Sequence, residues 1–188
     1  MSLPQFLARH SHHHHAAKTA SLRCLSTATL NMNNALKKGD EVCSFQELID
    51  TKSVTSLQGI GPVHQGQLEQ LKLKTIHDLA QYKFFHLARS IQTLALTEEA
   101  GGRLEDAVMN IDKGVDKAYE HQSFAEIAKA PVAALQGISD EKGDIWKQLG
   151  VKTVGDLAKF KYCLWAEAIQ TAAKFEEEPV GTNDDADA

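Results

Sequence analysis

Histidine and cysteine are the residues of this 188-residue chain best suited to metal or nucleophilic chemistry, with nine of the first and three of the second. His10 and His12 to His15 form a tract of the kind that can bind metal. His64, His77, His86 and His121 are scattered, and His77 and His86 stand too far apart to share adjacent turns of a helix. Cys24, Cys43 and Cys163 are widely spaced with no CxxC, which argues against a zinc site or a disulfide framework and for free thiols. Asp78 and Asp156 would suit paired acid–base work, but each stands three residues after a threonine, Thr75 or Thr153. That spacing matches a helix-capping box with Asp in place of Glu. The chain has no HExxH, GxSxG, Walker loop or GxGxxG. No nucleophile, base and orienting group can be assembled, so the sequence predicts a protein that is not an enzyme and needs no cofactor or metal.

The elements that must position these residues come from an internal repeat. Leu57-Gln58-Gly59-Ile60 recurs as Leu135-Gln136-Gly137-Ile138, and Lys74-Thr75-Ile76-His77-Asp78-Leu79-Ala80 recurs as Lys152-Thr153-Val154-Gly155-Asp156-Leu157-Ala158. Ile91-Gln92-Thr93 returns as Ile169-Gln170-Thr171, and Glu98-Glu99 as Glu176-Glu177. One offset, 78, aligns 57–99 with 135–177 without a gap, and 19 of the 43 positions are identical, far above chance. Upstream, Ser44-Phe45-Gln46-Glu47-Leu48 pairs with Ser123-Phe124-Ala125-Glu126-Ile127.

Within one unit, Ser44 suits the N-cap of a short helix from Phe45 to Lys52. Gly59 and Gly61 bracket Ile60, a place for a tight turn, and Pro62 fits the first position of the next helix. After the Thr75 cap, Leu79, Phe84, Leu87, Ile91 and Leu94 form a helical stripe. Between the copies, Leu104, Val108, Ile111, Val115 and Ala118 recur every three or four residues, which predicts an amphipathic connecting helix over 103–120. No segment alternates at period two, so no sheet is expected.

The first acidic residue is Asp40, while Arg9, Lys18, Arg23, Lys37 and Lys38 precede it among Ser, Thr and Ala. Basic, hydroxyl-rich and acid-free is the profile of a mitochondrial transit peptide, with a plastid transit peptide as the alternative. Arg23-Cys24-Leu25-Ser26 resembles a mitochondrial processing site with cleavage after Leu25, and that cleavage would remove the histidine tract. Losing Arg9, Lys18 and Arg23 would move the net charge from −5 to about −8. An acidic balance disfavours a dominant nucleic-acid footprint without excluding a local one. No run of 18 apolar residues occurs, so no membrane span is expected.

Leu57-Gln58-Gly59-Ile60-Gly61-Pro62, with Leu68, Leu71 and Thr75-Ile76-His77-Asp78-Leu79-Ala80, resembles the helix-hairpin-helix motif over about 25 residues per copy. Two such motifs joined by a linking helix resemble the paired helix-hairpin-helix domains of DNA-repair and recombination proteins. The resemblance implies that backbone N–H groups at Gly59, Ile60 and Gly61 meet a phosphate at the start of the following helix, with Lys72, Lys74 and Lys83 adding charge. The second copy departs from the pattern, because Ser139, Asp140 and Glu141 replace Gly61, Pro62 and Val63. A carboxylate there stabilises its helix but repels a phosphate.

The expectation is therefore an all-α chain. Residues 1–25 form a transit peptide, 26–43 a linker, 44–100 a first helix-hairpin-helix-like repeat, 101–122 a connecting helix, 123–177 a second repeat and 178–188 a disordered acidic tail. Its function is non-catalytic binding of a protein partner in the mitochondrial matrix. The alternative is DNA or RNA binding through the first hairpin.

Overall fold

The computed structural model describes residue 32 and residues 34–39, 44–99, 102–104 and 106–177. The transit peptide, most of the 26–43 segment and the acidic tail lie outside the described residues. The chain is all-α. Its elements are α1 (Phe45–Thr51), α2 (Pro62–Gln70), α3 (Ile76–Ala80), α4 (Lys83–Ala95), α5 (Phe124–Lys129), α6 (Asp140–Gln148), α7 (Val154–Ala158) and α8 (Lys161–Ala173). Short 3-10 turns occupy Val54–Ser56 before α2 and Val132–Ala134 before α6. Strands are absent among the described residues, which hold four isolated bridges only.

Local chemistry accounts for the helix starts. Ser44 accepts from the Glu47 N–H at 3.0 Å. Ser123 and Glu126 form a complete capping box, as do Thr75 with Asp78 and Thr153 with Asp156. Such caps are each worth about 1 kcal/mol. Helix α2 ends in a Schellman motif, in which the Leu73 N–H reaches the Leu68 carbonyl and the Lys72 N–H reaches Glu69. Lys72 takes the left-handed position at φ 64, where the end of α6 has Gly150 at φ 83.

The two long helices are exchanged between the halves of the chain. Helix α4 packs on α5 and α7, and α8 packs on α1 and α3. The buried face of α4 is Phe85, Ala88 and Ile91, and that of α8 includes Cys163, Ala166 and Ile169 at the same offset. Of the expected stripe only Ile91 lies on that face of α4, because the chain breaks between α3 and α4, which leaves Leu79 on α3 and Leu94 exposed. Burying each large aliphatic or aromatic side chain contributes about 2 kcal/mol, and here that gain exists only when both halves are present. Polar contacts repeat the exchange. Beyond α4, the Glu98 carboxylate accepts from the Phe124 and Ala125 N–H groups at the start of α5, at 2.6 and 2.9 Å. Beyond α8, Glu176 accepts from Phe45 and Gln46 at the start of α1, at 3.0 and 3.3 Å.

The described residues of 103–120 do not form the expected helix. They hold two 3-10 turns, Asp112–Gly114 and Lys117–Tyr119, and are otherwise irregular. The reason is a stronger claim on the same apolar residues. Val115 is fully buried and extended, bridges to Leu135, and is flanked by the Asp116 N–H to Ala134 and Gln136 N–H to Gly114 hydrogen bonds. Leu36 does the same against Leu57, with Lys37 N–H to Ser56 and Gln58 N–H to Ala35. Leu36 is buried in the core, although it falls in the segment read from sequence as a linker.

Candidate functional site

The first hairpin is built from Leu57 to Pro62. Gly59 adopts φ 96, a conformation that favours glycine. Ile60 is buried and anchors the turn, with its N–H on the Leu57 carbonyl at 3.3 Å. Gly61 is the N-cap of α2, with Pro62 following, and no side chain caps this end. A Cβ on Gly61 would meet nothing within 4 Å, so the backbone at the start of α2 faces open space. The second hairpin closes its own helix instead. Ser139 accepts from the Lys142 N–H at 3.4 Å, and Asp140 and Glu141 fill the first turn of α6.

Each hairpin leans on the long helix of the other half. A Cβ on Gly59 would lie 2.8 Å from the Tyr162 hydroxyl and 3.6 Å from Lys161 Nζ, both from the start of α8. A Cβ on Gly137, at φ 100, would lie 3.3 Å from Phe84 at the start of α4. Phe84 and Tyr162 are equivalent positions of the repeat. Between them runs an unbroken row of rings, Phe84–Tyr82–Trp146–Phe160–Tyr162, with centroids 5.2 to 5.6 Å apart. Trp165 extends it at 5.7 Å from Tyr162. Fully buried Trp146 therefore ties the two hairpins through one aromatic core.

The structure separates the expected contact residues. Gly59, Ile60 and Gly61 sit together at the hairpin, whereas Lys72 and Lys74 follow the opposite end of α2. Nine residues of helix put about 13 Å between those ends. Lys83 holds its ammonium 4.8 Å from the ring of Phe84, the ring that approaches Gly137 of the second hairpin. The cations at the first hairpin come from elsewhere. Lys37 donates to the Ile60 carbonyl at 2.8 Å, and Lys161 lies over the Tyr162 and Trp165 rings at 4.8 and 5.3 Å. Lys37 was hidden in sequence by its distance from the hairpin. Lys161 matches Lys83 at the repeat offset, but nothing in the sequence says that the long helices are exchanged.

Asp78, Asp156, Cys163 and His86 are engaged in the fold, while the histidine tract, Cys24 and Cys43 lie outside the described residues. Burial alone would raise the Asp78 carboxyl, but hydrogen bonds from the Lys74 and Thr75 N–H groups and the Thr75 hydroxyl outweigh it and hold the acid below its usual range. Asp156 repeats this balance with Thr153 and Lys152. Burial pushes the Cys163 thiol far up, out of the range of a nucleophile at neutral pH. The His86 Nε2 lies 2.8 Å from the Ala80 carbonyl oxygen. Among the described residues, no three His, Cys, Asp or Glu side chains gather to hold a metal, and no helix is long and apolar enough to cross a membrane.

No family model, curated protein or solved structure gives a significant match to this chain.

Proposed function

We propose that the chain is a non-catalytic binding protein, an adaptor or accessory subunit of the mitochondrial matrix, built from two helix-hairpin-helix-like repeats that lock each other in place. The observation that carries this reading is the use made of the titratable side chains. Asp78 and Asp156 cap helices, Glu98 and Glu176 seal helix starts across the halves, and the Cys163 thiol is buried in the core. These groups serve the fold, and the exposed surface is left for recognition. Transport of the full chain into isolated mitochondria, followed by co-purification, tests the proposal. A stoichiometric protein complex is expected. A turnover by the purified protein that one side-chain substitution abolishes would overturn it.

A second reading has its own observation. The uncapped start of α2 stands beside Lys37 and Lys161, which supply cations that the hairpin's own sequence lacks. Helix N-termini favour anions, and lysines strengthen phosphate contacts. On this reading the first hairpin binds DNA or RNA backbone without sequence preference. Fluorescence anisotropy with labelled DNA and RNA should show binding that weakens steeply with salt and is lost in Gly61→Asp. Binding indifferent to that substitution would remove the hairpin from the contact.

A further inference from the structure

The contacts between the halves come in reciprocal pairs. Helix α4 packs on α5 and α7, and α8 packs on α1 and α3. Glu98 accepts from the N–H groups of Phe124 and Ala125, and Glu176 from those of Phe45 and Gln46. This is the arrangement of an isologous dimer, in which residue i of one subunit meets residue j of the other and j meets i. Here the two subunits are the halves of one chain. An isologous surface also accepts its own copy, unless residues near the axis distinguish the halves.

Two places distinguish them. The first is electrostatic. Arg89 and Glu167 are equivalent at the repeat offset and pair with each other, which puts them at the axis. Two first halves would set Arg89 against Arg89, and two second halves Glu167 against Glu167. Like charges brought together at an interface suppress that pairing.

The second place is steric. Trp146 is fully buried between Tyr82 of the first half and Phe160 of the second, with ring centroids 5.6 and 5.2 Å away. Tyr82 and Phe160 are themselves equivalent, and the counterpart of Trp146 is the equally buried Leu68. Two second halves would bring two indoles to a core that holds one, and overpacking destabilises. Two first halves would bring none and leave a void.

We propose that the face between the halves is a selective recognition surface whose partner is the complementary half, of the same chain or of a second copy. A chain cut between the halves then stays assembled as a one-to-one pair, and like halves do not join. The connection is open to such a cut, because Val108 and Met109 within it are 91% and 92% exposed.

The test uses the full chain with a protease site inserted after Met109. Once cut, the protein should appear in native mass spectrometry as one complex holding one copy of each half. Light and isotopically heavy cut chains, mixed, should give light–heavy complexes, each with one first half and one second half. Cut wild-type chains mixed with cut chains carrying Arg89→Glu and Glu167→Arg should favour parental over mixed pairs at least about fivefold, because each mixed pair sets like charges together. Halves that separate on cutting, complexes of two like halves, or parental and mixed pairs in equal amounts would each overturn the proposal.

Discussion

Arg89 and Glu167 occupy the same position of the two long helices, 78 residues apart, and their side chains form an ion pair. His86 Nδ1 approaches the same carboxylate at 3.5 Å. A position that meets its own counterpart would juxtapose like charges if both copies were identical. Opposite charges remove that penalty. Arg89→Glu should therefore cost about 1 kcal/mol of unfolding free energy in urea, and Arg89→Glu with Glu167→Arg should recover most of it. Purely additive effects of the two substitutions would show that the pair carries no coupling.

Gly59 offers a sharper coupling, because two separate obstacles oppose a side chain there. One is the positive φ, and the other is the Tyr162 hydroxyl 2.8 Å from the Cβ position. Gly59→Ala should destabilise by roughly 2–3 kcal/mol. In a Tyr162→Phe background only the backbone cost of about 1 kcal/mol remains. Equal costs in both backgrounds would place Tyr162 away from the hairpin.

Lys72 carries a left-handed conformation without being glycine. Lys72→Gly should raise the urea midpoint, with a gain of about 1 kcal/mol, and Gly150→Lys should lower it by a similar amount. A midpoint that falls in Lys72→Gly would mean that the Schellman motif at the end of α2 does not form.

The two capping aspartates set a pH dependence. Their carboxyls are held below the ordinary aspartate value in the folded chain. The unfolded chain therefore takes up protons first as pH falls. The stabilisation is complete above the unfolded value of about 3.9 and is lost as pH drops through the lower folded values. Denaturation midpoints measured from pH 6 downward should fall below about pH 4, and Asp78→Asn with Asp156→Asn should flatten that fall. An unchanged slope in the double variant would assign acid sensitivity to other groups.

Much of each half was legible from short-range patterns. The capping boxes at Thr75 and Thr153 and the start of α2 at Pro62 were read from spacing that a helix imposes. The stripe was misplaced by one residue, since α4 buries Phe85 and Ala88 with Ile91 and leaves Leu94 43% exposed. Two further features were not legible. The helical spacing of Leu104, Val108, Ile111 and Val115 predicted a helix, but Val115 is claimed by its bridge to Leu135, an interaction between distant parts of the chain. The matching bridge of Leu36 escaped notice because no residue identity marks it: Ala35-Leu36-Lys37 stands against Gly114-Val115-Asp116 at the offset of 79 shared with Ser44 and Ser123. The extra residue relative to the offset of 78 lies in α1, seven residues long against six in α5. The exchange of long helices was hidden for another reason. Periodicity reveals which face of a helix is apolar, but not which half of the chain covers it. Lys161 was therefore missed at the first hairpin, while Lys72 and Lys74 were expected there from proximity in sequence.

The central claim is that this chain works by binding a protein, and site-specific photo-crosslinking in intact cells tests it most directly. With the crosslinker at position 63 of the full chain, where Val63 is 73% exposed on α2, the account predicts one discrete protein adduct. Crosslinking to nucleic acid alone, or to no macromolecule, would contradict it.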